Sequence, residues 1–169
     1  MDAQTLRALQ APLKERYRST PGAARITLKA AGSLDDGGIT CKVETGRALA
    51  VAGLHPATGG SGLELCSGDM LLEALVACAG VTLKAVATTI GVHLRSGSIT
   101  AEGDLDFRGT LGLDKSVPVG FSAIRLRFDI DSDALPEQID QLLKLTERYC
   151  VVLQTLKQSP ALEARIARG

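Results

Sequence analysis

The sequence predicts an α+β domain with a mainly antiparallel sheet packed on two long helices. Three observations lead there. Strands and helices are grouped along the 169 residues instead of alternating regularly, which disfavours a parallel α/β sheet. Met70–Ile90 and the run from Leu135 onward keep helical apolar character over many turns. Ile99–Phe107 and Ile124–Ile130 alternate apolar and polar residues with period two, and their polar faces carry opposite charge. With 45% hydrophobic residues, the chain suffices for one domain with its own core. We divide it into an N-terminal helical extension, residues 1–20, and a domain over residues 21–169.

Asp2–Arg18 reads as an amphipathic helix with Leu6, Leu9, Leu13 and Tyr17 at helical spacing. Pro12 predicts a kink or a split there, and Ser19–Gly22 predicts a break. Ala24–Leu49 reads as two or three strands with a turn at Asp35–Gly38. Ile39, Cys41 and Val43 alternate with polar residues, which sets Cys41 on an apolar strand face. Gly53–Gly62 reads as a glycine-rich loop.

The central helix takes Ser67 or Asp69 as its cap and Gly91 as its left-handed stop. Nearly every side chain between is apolar or small, so it is expected to be buried on most sides, in a core or a subunit interface. Glu73, Ala77, Gly80 and Lys84 form one narrow stripe, and Cys78 lies about 140° from its centre, toward the more buried side. The segment is roughly long enough to cross a bilayer. Glu73 and Lys84 within it favour a buried helix and no membrane partner.

Thr100, Glu102, Asp104 and Asp106 make an acidic face on one strand, and Arg125 and Arg127 a basic face on the next. An antiparallel hairpin pairs these faces, and its apolar sides are expected to cover the central helix. A second long helix begins near Leu135, with Ser132 or Asp133 as cap and Pro136 in the first turn. Ile139, Leu142, Leu143, Thr146, Cys150 and Leu153 share one of its faces, so Cys150 also points to the core. Ser159–Glu163 reads as the start of a short C-terminal helix.

Nineteen basic residues balance nineteen acidic ones, and aromatic residues make up only 3%. Neither a phosphate-binding footprint nor a stacking platform for nucleic acid is present. Met1–Arg18 lacks an apolar signal core, so a cytoplasmic location is expected, where four cysteines are not a disulfide framework by default. His55, Cys66, His93 and Cys41 lack metal-ligand spacing. The Gly59–Gly60 loop has no phosphate-loop pattern, and Ser67 is not in a nucleophile elbow. Neither a metal site nor a phosphate-bound cofactor is therefore expected from these motifs.

The remaining chemistry is thiol chemistry. On periodicity alone, Cys78 and Cys150 are either small core residues or a redox pair, and reactivity requires a neighbour that favours the thiolate. Cys66, just before the central helix, is a filler residue or an alternative partner for Cys78. Cys41 is core.

The run G-D-M-L-L-E-A-L-V-A-C-A-G-V-T-L around Cys78, continuing A-V-A-T-T-I-G-V, resembles the central helix of the OsmC/Ohr family. This family comprises osmotically inducible protein C and the organic hydroperoxide resistance proteins. F-S-A-I-R-L-R-F-D-I, L-L-K-L-T-E-R-Y-C and V-V-L-Q-T-L-K resemble its second half, so the similarity covers Ala24 to Ile166. The resemblance implies an OsmC-like fold in an intertwined homodimer, with central helices packed together and active sites at the subunit interface. It implies a thiol peroxidase of oxidative stress defence, acting on organic hydroperoxides and recharged by a dithiol reductant. Cys78 would be the peroxidatic cysteine and Cys150 the resolving one. An activating Arg is implied in the N-terminal strand region, where Arg25 and Arg47 are the candidates. The chain departs from the family at Val151, where Pro usually follows the second cysteine. It departs again at Gly68, where a Glu usually lies ten residues before the first; Asp69, one place later, is the candidate substitute. The other reading is a non-catalytic relative that binds a small apolar ligand at the dimer interface.

Overall fold

The structure, a computed structural model, describes residues 3–34, 41–43, 52–63 and 65–166. In chain order the helices are α1 (Ala3–Ser19), α2 (Ser67–Ile90), the short α3 (Phe107–Thr110), α4 (Pro136–Tyr149) and α5 (Val151–Lys157). The strands are β1 (Arg25–Leu34), β2 (Cys41–Val43), β3 (Ala52–Gly53), β4 (Leu65–Cys66), β5 (Ser96–Asp106) and β6 (Ala123–Asp131). The predicted turn at Asp35–Gly38 lies outside the described residues.

Helix α1 runs through Pro12 as one helix. The proline removes one rung of the ladder, but both Pro12 and Ala8, whose carbonyl loses its donor, are exposed, so water replaces the bond. The helix is docked by its opposite face. Tyr17 is 2% exposed, and its hydroxyl donates to the Ala57 carbonyl at 2.7 Å. Gln10 Nε2 donates to the Thr58 carbonyl at 3.2 Å. Leu13 completes a small cluster with Tyr17, Ala24, Ala57, Phe107 and Leu111.

The Gly53–Gly62 stretch holds more order than a loop. A 3-10 turn spans Pro56–Thr58, with His55 Nδ1 accepting from the Ala57 amide. The two-residue strands β3 and β4 pair in parallel. At Gly60 a Cβ would fall 1.6 Å from the Leu54 carbonyl oxygen, so only glycine lets the chain pass.

The main sheet has the order β2-β1-β5-β6 and is antiparallel throughout. The charged hairpin forms as its pattern predicts: Glu102 faces Arg125 and Thr100 faces Arg127. Arg125 bridges Asp104 and Glu102, and Thr27 donates to Asp104 from the neighbouring strand. The Arg125 guanidinium, then the Thr27 hydroxyl, hold the Asp104 carboxyl below the usual carboxylate range. This polar ladder faces water and the opposite face meets α2. Leu72, Leu75, Val76 and Ala79 of α2, Ile99 and Ala101 of β5, and Cys150 form a fully buried core. Leu83 and Ala87 extend it toward Val92, Leu94 and Leu142. α2 is long and apolar enough to cross a membrane, yet here it is the helix around which the domain packs.

Four expectations are corrected. Cys66, not Ser67 or Asp69, occupies the cap position of α2, while Gly91 ends the helix at φ 73° as expected. The Glu73, Ala77, Gly80 and Lys84 stripe is half-buried or buried. The exposed side of α2 is apolar instead: Leu71 and Val81 are 38% and 40% exposed, with Ala74 between them. The second long helix does not run through Cys150. It stops at Tyr149, Cys150 is extended (φ −71°, ψ 105°), and α5 starts afresh at Val151. The bend lays Val152, Leu153 and Leu156 onto the core, which a straight helix would carry past it. Finally, residues 159–166 form no helix. Leu162 and Ile166 are 85% and 90% exposed, and a short helix without an apolar contact does not hold in water.

Candidate active site

Cys78 sits at the middle of α2, on the border between the core and the exposed seam. Leu71, Ala74, Cys78, Val81, Ala85 and Thr88 follow spacings of three and four, and at about 100° per residue they fall on one side of the helix. Leu75, Leu72 and Ala79 lie beside that arc and face the sheet. Cys78 is half-buried, and Cys150 is fully buried beneath it in the same cluster.

The bend at Cys150 is what brings the two thiols together. The Cys150 N–H still bonds back to Thr146, and the Cys150 carbonyl accepts from Gln154 to begin α5. The N–H groups of Val151 and Val152 fall between these two ladders, where helix geometry leaves donors without intrahelical partners. Val152 packs against the cluster that holds both cysteines. Burial raises the Cys78 pKa, but the neighbouring uncharged groups, the Val152 amide first, then the Cys150 thiol, the Thr82 hydroxyl and the Val151 amide, outweigh it and hold the thiol below its ordinary value. Thr82 is one turn beyond Cys78 on the same helix face.

Cys150 behaves in the opposite sense. Burial, opposed by the Leu153 and Val152 amides and reinforced by the adjoining Cys78, pushes its pKa up to about 11. Cys78 is therefore the more acidic thiol of the two. This asymmetry suits a nucleophilic sulfur next to a protonated partner. Every group that acts on Cys78 among the described residues is uncharged at neutral pH.

The other sequence candidates lie elsewhere. Arg25 opens β1 with its guanidinium 3.8 Å from Asp106 and its side chain 75% exposed, and it does not reach Cys78. Arg47 lies outside the described residues. Asp69 is in the first turn of α2, nine residues before Cys78. That separation is about 13 Å along the axis and half a turn around it, so the two do not touch within one chain. Burial raises the Asp69 pKa, and His55 lowers it. Cys66 precedes Cys78 by twelve residues, or about 18 Å of helix. A disulfide needs Cα atoms within about 7 Å, so Cys66 is no intrachain partner for Cys78 while α2 is intact. Cys41 opens β2, and its side chain lies outside the described ones. His55 stacks on Phe107 at 5.0 Å. Among the described residues no three His, Cys, Asp or Glu side chains gather as metal ligands.

Sequence reasoning missed Thr82 and the two valine amides. Thr82 was visible as a hydroxyl four residues from Cys78. The amides were not, because they depend on the bend.

An apolar cavity of about 650 Å³ opens between β6 and α4. Phe121, Ile124, Leu126 and Phe128 line one wall, and Leu142 and Leu153 the other. Leu153 belongs also to the cluster around Cys150, so the cavity and the thiol pair share a wall.

Comparison with known proteins places the fold. The family model described as OsmC-like protein matches residues 60–165. Among solved structures, an OsmC-like hydroperoxide resistance protein from Jannaschia sp. CCS1 is similar over 86% of this chain and 95% of its own, with TM-score 0.63 and 15% identity. No curated protein matches.

Proposed function

Because the chain belongs to the OsmC-like family, we propose that it is a thiol peroxidase that reduces organic hydroperoxides through Cys78 and Cys150. The observation that carries this reading is that Cys78 packs against the buried cluster that contains Cys150, with Cys78 held below its ordinary pKa and Cys150 pushed above it. The Cys78 thiolate attacks the outer peroxide oxygen and the O–O bond breaks. With one proton taken up, the products are an alcohol and the Cys78 sulfenic acid. The Cys150 sulfur then displaces water from that acid to form the Cys78–Cys150 disulfide. A dithiol reductant reopens it by exchange and leaves as its own disulfide.

The resemblance also implies a guanidinium near the site. Arg47 and Arg25 are its candidates, and Arg25 would have to leave Asp106 to serve. Asp69 could act only by holding such an Arg. A homodimer in the cytoplasm, working in oxidative stress defence, belongs to the same proposal. The exposed apolar seam of α2 supports the dimer, since contiguous apolar surface of this kind marks an interface.

Steady-state turnover tests the reading. The reduced protein, given cumene hydroperoxide and dithiothreitol, consumes peroxide. Cys78→Ser abolishes this, and Cys150→Ser leaves Cys78 open to over-oxidation to the sulfinic acid. A wild-type rate no greater than that of Cys78→Ser would remove the proposal.

One observation favours a second reading. The cavity of about 650 Å³ has the size and lining of a small-molecule site, which suits a non-catalytic OsmC-fold protein that binds an apolar ligand. That reading expects ligand binding and no thiol-dependent turnover.

A further inference from the structure

We propose that the C-terminal segment Ala161–Ile166 of one copy adds as a parallel strand to the free edge of β6 in a second copy, so that two chains exchange their tails. This deepens the homodimer put forward above and does not depend on the thiol chemistry.

β6 is nine residues long and ends the sheet order β2-β1-β5-β6, so among the described residues its outer edge carries no neighbour. An exposed edge of this length is a template for another strand. Its inner face is open as well. Ile124, Leu126, Phe128 and Ile130 are only half-buried and line the apolar cavity of about 650 Å³ beside α4. Leu75 and Leu83 bring α2, the helix with the exposed seam, to the same cavity.

The tail has the matching pattern. Leu162, Ala164 and Ile166 alternate with Glu163 and Arg165, the period of a strand with one apolar face. In its own chain the described tail is exposed throughout, with Leu162 at 85% and Ile166 at 90%. Six residues span about 20 Å as a strand, which fits within β6. Pro160, which lacks an N–H, stands before the first paired residue, where a strand tolerates it. Each chain thus holds an open edge and an unburied apolar segment, and reciprocal exchange between two copies satisfies both.

Charge selects the direction and the register. Along its polar face β6 reads Arg125, Arg127, Asp129, Asp131, whereas the tail reads Glu163, Arg165. A parallel strand with Glu163 beside Arg127 and Arg165 beside Asp129 makes both pairs opposite in sign, and such complementarity fixes register. No antiparallel register does so, because the basic residues of β6 precede its acidic ones while in the tail Glu precedes Arg. Arg127 pairs with Asp129 at 2.6 Å and Arg165 with Glu163 at 2.6 Å, so docking exchanges partners and strands no charge. The same register sets Leu162, Ala164 and Ile166 beside Leu126, Phe128 and Ile130, on the cavity side.

A photocrosslink tests the acceptor. An unlabelled chain with benzoylphenylalanine in place of Leu162 is refolded with an excess of heavy-isotope-labelled wild type. Irradiation is expected to join the unlabelled tail peptide to a labelled β6 peptide. A crosslink to unlabelled β6 alone, or none to β6, overturns the proposal. A dimer mass in light scattering would then leave the homodimer standing, whereas a monomer would end both. Residue-resolved hydrogen exchange gives an independent measure. The β6 amides that face away from β5 are expected to be protected in the full chain, and to exchange at least about tenfold faster after deletion of residues 159–169. Every described tail residue is exposed in its own chain, so that deletion leaves the core intact. Equal exchange with and without the tail overturns the proposal.

Discussion

At the scale of single residues, the surroundings of two thiols set them apart. Two thiols on apolar faces are by default small inert core residues, because burial disfavours the thiolate. Here burial acts on both sulfurs, and their polar neighbours separate them. The Val152 amide, the Cys150 thiol, the Thr82 hydroxyl and the Val151 amide lower the Cys78 pKa, whereas Cys150 lies deeper, and burial and the neighbouring Cys78 outweigh the Leu153 and Val152 amides there. Labelling should follow the same order. A thiol reacts as its thiolate, so alkylation of Cys78 rises through a pH range below that of an ordinary cysteine. Cys150, with a pKa of about 11, stays protonated and unlabelled at pH 8. Peptide-resolved labelling with limiting iodoacetamide checks this, and equal labelling of the two at pH 8 contradicts it.

At the scale of elements, what the sequence made legible was whatever depends on periodicity. The β5–β6 pairing follows from Glu102, Asp104, Arg125 and Arg127, whose alternation fixes both the face and the partner. The length of α2 and its stop at Gly91 follow from composition and one glycine. The break at Cys150 was not legible, because no proline or glycine marks it; it arises where tertiary packing pulls Val152, Leu153 and Leu156 onto the core. The C-terminal helix failed for the complementary reason: Ser159, Pro160 and Glu163 make good local signals, but Leu162 and Ile166 find nothing to bury against. The element that holds the site is α2, and Leu72 lies at its fully buried face. Leu72→Ala should therefore destabilise the protein by about 2–5 kcal/mol through lost burial and a residual cavity. Urea unfolding measures this, and a loss below about 1 kcal/mol would mean that the core around Cys78 is looser than its packing indicates.

At the scale of the whole molecule, an apolar surface is left open. The most exposed stripe of its most apolar helix carries Leu71, Ala74 and Val81, in line with Cys78. Composition alone foresaw that α2 is apolar nearly all round. It could not say which side is left open, because the half-buried Glu73 and Lys84 looked like the solvent face. The family's homodimer, proposed for this chain, would close the seam and place Cys78 at the subunit boundary. Light scattering at micromolar concentration should give the mass of a dimer, and Val81→Glu, which puts a charge in the seam, should shift it toward monomer. A wild-type monomer at that concentration would contradict the proposed assembly.

The account's central claim is that Cys78 and Cys150 act as one redox unit, and stoichiometric oxidation tests it most directly. One equivalent of cumene hydroperoxide, added to the reduced protein without reductant, should remove two thiols per chain and yield a Cys78–Cys150 disulfide in the peptide map. No thiol loss, or the same loss in Cys78→Ser, would contradict it.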